Sequence, residues 1–558
     1  MNQRWLFRLP HLALSLVLGF TVAFFALTHE GLYDLDDLLY ARYAHALATG
    51  TYRPLPDPQH VFHDPLQGRL LVFGPVAGLY RLLGVTIIST TLWPLLCTLG
   101  CAVVIWALYR RREPVVAAGA TVLLGLHYFT LNLSTYLYPD NVLMFWCLAG
   151  AAALLTGRRL EQGRPAVWGA GFAVLSFAAL LSKETIVFYL PFYIGLLGLD
   201  TYRRRHGRFW VAALATGGVM LGAYLLYYQL QTNDPLYRYH VIEQTNAYMS
   251  DGNYVQGRRG ALLGRVSWEP LWFFVGTGIG IMLVLAAAAL PTHWRATSTT
   301  PAAPTTDTQT DALYWVTLAA TTLVFYWWGS TSLHTYNPIS LQPRMMTPLL
   351  PPLAVAAGFG LRAFWQTGHG GWLLGGVLLL FAGWLRSAVA IPYGLLGLLF
   401  LGLTLVRQQI PARYRPGTAG FAALLLLALA AALLVRPVHF MRKPTVSSHF
   451  AQNRVLQAQL QAATRGVVFV DEFLLRTHDF YYSFRVPPGL RFRSYLSRDS
   501  VRVLPGEKVW LLLNRSTLTN EELTRKLIRY SPDSVTTWFP QRKLVAQDGK
   551  VELYEVVR

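Results

Sequence analysis

At least ten blocks of about 16 to 24 residues in this 558-residue chain carry almost no charge. A block of that length and composition is what a helix needs to cross the hydrocarbon core of a bilayer. Composition agrees: hydrophobic residues make up 53% and charged residues 14%, against about 25% charged in average soluble domains. The formal charge of +20 alone would suggest nucleic acid. The arginines, however, sit in short clusters between apolar blocks, which is the orientation signal of a polytopic membrane protein. A bilayer is the expected partner, and nucleic acid is not. Cys97, Cys101 and Cys147 all fall inside apolar blocks, so they suggest neither a disulfide framework nor a metal site.

Arg4 and Arg8 precede an apolar run from about Leu12 to Leu27. It reads as an uncleaved anchor, because the polar segment after it is short and leads into further spans. Arg110 to Arg112, Arg158 and Arg159 with Arg164, and Arg203 to Arg205 with Arg208 form three clusters, each pair separated by two apolar segments. All three therefore fall on the cytoplasmic side with Arg4 and Arg8. The Thr-, Pro- and Ala-rich stretch from Thr297 to Thr310 reads as a flexible cytoplasmic linker. Arg407, Arg413 and Arg415 precede a last span at about Thr418 to Val435. The count comes to about 13 spans, which places the C-terminus outside. Residues 1–435 form a transmembrane domain whose first outer loop is about 28–84. From 436 to 558 charges become frequent and strand-like segments appear, "GVVFVDEF", "KVWLLLN" and "KVELYEVV". Between them "TNEELTRKLIRY" predicts a helix with Thr519 or Asn520 as N-cap. The fold class is a polytopic α-helical membrane protein, with a small extracytoplasmic α/β domain that shows no catalytic constellation.

Ionisable groups in or beside spans are expensive and are functional candidates by default. Under this topology they gather on the outer side, in the cytoplasmic membrane of a multi-pass protein. Asp34, Asp36 and Asp37 follow the first span directly. Adjacent carboxylates can bind a divalent cation such as Mg²⁺ or Mn²⁺, or hold one group as a base beside the other. They can equally cap the helix that follows, whose apolar Leu38, Leu39, Ala41, Tyr43, Ala44, Ala46 and Leu47 suit a helix lying along the membrane surface. "HDPLQGRL" supplies His63, Asp64 and Arg69, "YLYPDN" Tyr138 and Asp140, and "LLSKET" Lys183 and Glu184. The loop from Gln231 to Trp268 carries Asp234, Arg238, His240, Glu243, Arg258, Arg259 and Arg265, and "HTYNPISLQPRMMTPLLPP" carries His334, Tyr336, Asn337 and Arg344. Bland roles exist for each: Lys183 and Glu184 as a local ion pair, Arg344 snorkelling to headgroups, His63 and His334 as structural residues. Together they suit an anionic, membrane-borne substrate held by cations while a carboxylate does acid–base work.

An Asp36-Asp37 pair after the first span, with Tyr40-Ala41 three residues on, resembles the "DE-x-x-YA" motif of the GT-C membrane glycosyltransferases. The likeness is to the family 39 type, which includes protein O-mannosyltransferases and lipid A aminoarabinose transferases. "YPDN" around Asp140 looks like the family's "PD" element, "SKET" like its "KE" element, and "QPRMMTPLLPP" like its arginine-and-proline approach to a late span. The "KPPL" lysine motif of the aminoarabinose branch is absent, and "HDPLQGRL" stands in its place. The resemblance covers roughly residues 10 to 390. It implies a polyprenyl-phosphate-linked sugar as donor and a lipid, glycan or protein as acceptor. Asp36 and Asp37 would be catalytic or hold a metal. Tyr40, His63, Arg69, Asp140, Lys183, Glu184, Arg258, Arg259, His334, Tyr336 and Arg344 would bind donor phosphate or substrate. One-step displacement would invert the anomeric centre, with no second nucleophile of the kind retaining glycosidases use.

The competing class is a transporter or flippase of an anionic lipid-linked substrate. Repeated halves and paired interrupted helices in matching positions, its usual signature, are not evident in the sequence, and the outer-face clustering favours surface chemistry.

Overall fold

The computed structural model describes residues 4–32, 35–54, 64–159, 163–248, 254, 259–290, 307–368, 370–409, 418–442, 447–460, 465–520 and 528–557. Among them eight helices are long and apolar enough to cross a membrane, and ten if two bent pairs each count as one span. The chain is a multi-pass membrane protein. Apolar blocks do not reveal where a helix breaks. Gly278, in the left-handed region at φ +89°, turns Glu269–Thr277 by 104° from Ile279–Ala287. Pro114–Gly125 and Tyr128–Thr135 are bent by 62°. Leu70–Leu83 and Gly371–Trp384 are apolar but only 14 residues each, short of the ~20 a span needs.

Two helices form the centre of the bundle. Every residue from Val115 to Gly125 and from Leu350 to Leu361 is buried, as expected of helices that are hydrophobic on all sides. Glycine lets their neighbours close in. A Cβ on Gly358 would lie 3.0 Å from the Val116 carbonyl oxygen, and one on Gly360 would collide with the Leu285 carbonyl. Part of the arginine signal is structural as well: Arg158 pairs with Asp200 at 2.7 Å, Arg159 pairs with Asp311, and Arg362 pairs with Glu113 at 2.6 Å.

Helix α1 (Arg4–Thr28) leads to α2 (Leu35–Thr49), and α3 (Leu70–Leu83) packs against α2. The apolar side of α2 does not lie on lipid, which corrects the surface-helix expectation. Leu38, Leu39, Tyr40, Ala41 and Ala44 are buried in a cluster with Val72, Phe73 and Val76 of α3 and with Phe473 and Phe480 from the C-terminal region. Protein on two sides takes the place the bilayer was expected to fill.

The C-terminal sheet is made of β1 (Gly466–Val470), β2 (Leu490–Ser494), β3 (Lys508–Asn514), β4 (Arg542–Asp548) and β5 (Val551–Val556), in the order β2-β1-β3-β5-β4. Strand β1 runs parallel to β2 and β3, while β5 is antiparallel to β3 and β4. Val468, Val470 and Leu512 share one core with Val455 and Leu456 of helix His449–Gln459; Val467, Phe469 and Leu511 share the other with Val535 and Phe539. A strand covered on both faces is apolar throughout rather than alternating, which explains "GVVFV". The helix expected from "TNEELTRKLIRY" falls mostly on 521–527, outside the described residues. Before it, Asn514 caps the short helix Arg515–Leu518, its Oδ1 accepting from the backbone N–H groups of Ser516 and Thr517.

The sheet region grips α2 directly. Arg42 donates from Nε and Nη2 to the two carboxylate oxygens of Asp479, each at 3.0 Å, and from Nη2 to the Arg476 carbonyl at 2.5 Å. Beside it His45 stacks on Phe484 with ring centroids 4.6 Å apart.

Candidate active site

Helix direction explains why the site residues meet. The chain leaves α1 at Thr28, passes down Ile87–Tyr109 and back up Pro114–Thr135, enters again at Pro139 and returns to the same end at Ser182. Asp36 and Asp37 sit in the first turn of α2, where the helix dipole favours carboxylates. Asp140 opens helix Pro139–Arg159 for the same reason. Lys183 follows the last turn of Pro165–Ser182 in extended backbone, φ −162° and ψ 143°. That extended link points Lys183 and Glu184 apart, so they do not form the local ion pair.

Lys183 Nζ instead donates to Asp140 Oδ1 at 2.7 Å, with the Met345 sulfur 3.1 Å away. Both members of this pair are buried, at 5% and 1% side-chain exposure. Glu184 takes two arginines, Arg69 at 2.6 Å and Arg238 at 3.0 Å. Arg69 also donates to the Tyr40 hydroxyl at 2.8 Å. Burial opposes the charge on Arg69, but Glu184 and Tyr40 outweigh it and push its pKa up. Burial pushes the Tyr40 phenol up too, against the pull of Arg69. Tyr40 therefore stays protonated and is no base.

Asp36 is held differently. Arg344 Nη1 donates to its Oδ2 at 3.1 Å, and both side chains are 30% exposed. The Arg344 guanidinium lies 5.0 Å over the Tyr138 ring and donates to Gln342 at 3.3 Å, so it is not simply snorkelling to headgroups. Met345, next in sequence, touches Lys183. Asp36, Tyr40, Arg69, Asp140, Lys183, Glu184 and Arg344 thus form one connected set, with most of its charge buried and one half-open pair at its edge.

Asp37 is fully buried. Asp36, beside it in the first turn of α2, is instead partly exposed and turned toward Arg344. Among the described residues no three His, Cys, Asp or Glu side chains come together as metal ligands.

Other expected site residues lie elsewhere. His334 pairs with Tyr239 at 3.3 Å, and Tyr336 is exposed. Their loop is tied down by Glu243, which accepts from the Ser332 hydroxyl at 2.6 Å and the Leu333 backbone at 2.9 Å. Arg259 begins a short 3-10 turn, its side chain outside the description, while His63 and Arg258 fall outside the described residues. Arg238 joins the cluster although nothing in its "YRYH" surroundings separates it from the other loop arginines. Arg265 is fully buried and donates to the carbonyls of Tyr326, Trp327 and Ile339, which makes it a structural brace.

No family model matches this sequence, and no curated protein matches it. Solved structures do. The crystal structure of ArnT from Cupriavidus metallidurans bound to undecaprenyl phosphate superimposes with a TM-score of 0.57 at 15% identity, over 97% of this chain and 98% of that one. The apo state of the same protein gives 0.56 at 15% identity, over 97% of each chain. The fold is that of ArnT. At 97% coverage the likeness to ArnT takes in the C-terminal sheet as well as the helical body.

Proposed function

We propose that the chain is a membrane glycosyltransferase that moves a sugar from a polyprenyl-phosphate donor to a lipid, glycan or protein acceptor, with inversion, on the extracytoplasmic face. The observation that carries this reading is the Asp36–Arg344 pair: a carboxylate and a cation, both half open, on a framework of buried ion pairs. The ArnT structure bound to undecaprenyl phosphate supports the choice of donor, and the arginine distribution supports the side.

The chemistry follows from those two groups. An acceptor hydroxyl attacks the anomeric carbon as the bond from that carbon to the phosphate oxygen breaks. Asp36 takes the hydroxyl proton, and the lipid phosphate leaves with the electron pair. Arg344 is the accessible cation for the departing phosphate. When it turns to the phosphate, it releases Asp36 as the base. Arg69 and Lys183 act as positioning residues, because Glu184, Tyr40 and Asp140 already occupy them. Arg69 fixes α2 through Tyr40, and Lys183 fixes the start of helix Pro139–Arg159. No step is routed through a metal ion.

Mass spectrometry of envelope lipids, glycans and proteins from cells with and without the chain tests this reading. It is expected to show one glycosylated species that depends on the chain. Identical envelopes, together with no transfer from a polyprenyl-phosphate sugar by the purified chain, would refute it.

A further inference from the structure

Tyr138 has no part in the steps above, yet the cation those steps depend on lies over its ring. The Arg344 guanidinium carbon is 5.0 Å from the ring centroid, while the same side chain reaches Asp36 at 3.1 Å and Gln342 at 3.3 Å. Tyr138 itself is buried, at 6% exposure against 30% for the Arg344 side chain. A closed ring thus backs a half-open cation.

The ring is held from both directions along the chain. Before it, Tyr136 packs against it with ring centroids 5.5 Å apart, in a buried cluster that includes Leu133. After it, Pro139 and Asp140 open the next helix, and Asp140 is tied down twice. Its carboxylate takes Lys183 at 2.7 Å, and its carbonyl accepts from the Thr347 hydroxyl at 3.0 Å. Thr347 belongs to the same 3-10 turn, Pro343–Leu349, that carries Arg344. The turn bearing the cation is therefore bonded to the segment bearing the ring.

The kind of contact matters because Arg344 has to change partner. A second carboxylate would lock it, as Glu184 locks Arg69 at 2.6 Å. An aromatic face attracts a cation through the negative side of its quadrupole, over a broad area and with no hydrogen-bond direction. The planar guanidinium of arginine stacks on such faces. It can turn there without leaving the ring and stay within reach of both partners.

We propose that Tyr138 is a positioning residue for donor binding, its ring being the platform on which Arg344 turns from Asp36 to the donor phosphate. The proposal rests on the glycosyl-transfer reading above. On this account the charge distribution of the ring, and not its bulk alone, sets the affinity for the phosphate.

The test keeps the shape of the ring and changes its charge distribution. In the full-length protein, position 138 carries in turn phenylalanine and phenylalanines with one, two and three ring fluorines, which progressively drain the ring face. The Kd for undecaprenyl phosphate and the unfolding midpoint are measured for each. Tyr138→Phe is expected to keep the Kd within about twofold of wild type, because the ring remains. The Kd should then climb with each fluorine, to about tenfold at three, a size within the range of a cation–π contact. The unfolding midpoint should stay near wild type throughout. In an Arg344→Gln background the same series should be flat, since the cation it acts on is gone. A Kd that ignores fluorination when Arg344 is present, or that climbs equally without it, overturns the platform and leaves the glycosyl-transfer reading standing. A wild type that neither binds undecaprenyl phosphate nor changes the envelope overturns that reading, and the platform with it.

Discussion

Asp36 and Arg344, 308 residues apart in the chain, meet through one hydrogen bond of 3.1 Å. Every other cation of the cluster is more deeply buried and holds its carboxylate more closely: Lys183 to Asp140 at 2.7 Å, Arg69 to Glu184 at 2.6 Å, Arg238 to Glu184 at 3.0 Å. The longest and most open pair is the one a ligand can exchange. As the bond to the anomeric carbon breaks, the departing lipid phosphate gains negative charge beyond a carboxylate's, and it can draw Arg344 away and leave Asp36 free.

Arg344→Gln should therefore weaken donor binding and leave folding intact, since the guanidinium is only partly buried. An increase of about tenfold or more in donor KM is expected from losing one charge-assisted contact. Steady-state titration with a polyprenyl-phosphate sugar checks this, and an unchanged donor KM would remove Arg344 from the phosphate site.

The Lys183–Asp140 pair should behave as structure. Removing one partner leaves a buried charge alone, which costs about 3–5 kcal/mol. Asp140→Asn and Lys183→Met should each lower the thermal unfolding midpoint sharply, and the double variant should recover much of the loss. If the single variants unfold normally and lose only activity, Lys183 touches substrate after all.

The C-terminal sheet region should carry its own pH signature. Asp471 caps the helix after β1, accepting from the Leu474 N–H at 2.8 Å, and burial raises its carboxyl to about 6 from an ordinary 3.8. A carboxyl raised on folding favours the folded state when protonated. Its contribution is complete below about pH 4 and is lost as pH rises through about 6. The difference in stability between wild type and Asp471→Asn should change by about 3 kcal/mol across that window. A pH-independent difference would show that Asp471 titrates normally.

Chelation offers a separate check on the site chemistry. Because Arg344 already neutralises Asp36 and Asp37 is buried, washing the purified protein with EDTA should leave transfer within about twofold of its starting rate. Loss of activity restored by Mn²⁺ or Mg²⁺ would show that the carboxylates rearrange around an ion when substrate binds.

The fold and the centre of the site were legible for a physical reason. Apolar blocks and arginine clusters report on the bilayer, and charges beside spans are rare enough to stand out, so Asp36, Arg69, Asp140, Lys183, Glu184 and Arg344 could be picked from the sequence. Pairing was not legible. Lys183 and Glu184 are neighbours in sequence, and only the extended backbone at Lys183 sends them to different partners. Arg238 and Arg265 come from one arginine-bearing loop, yet one joins the cluster and the other braces three carbonyls. The partner of α2 was misjudged because an apolar face looks the same whether lipid or Phe473 and Phe480 cover it. Breaks such as Gly278 are single residues within apolar blocks, so the sequence does not reveal them.

The central claim is that Asp36 is the base, and Asp36→Asn tests it most directly. The substitution keeps shape and removes only the charge, so donor binding and unfolding temperature should stay near wild type. General-base assistance is worth roughly 10²–10⁴ in rate, and kcat for sugar transfer should fall by at least about a hundredfold. A fall of less than about tenfold in a well-folded variant would contradict the claim and leave Asp36 as a helix cap.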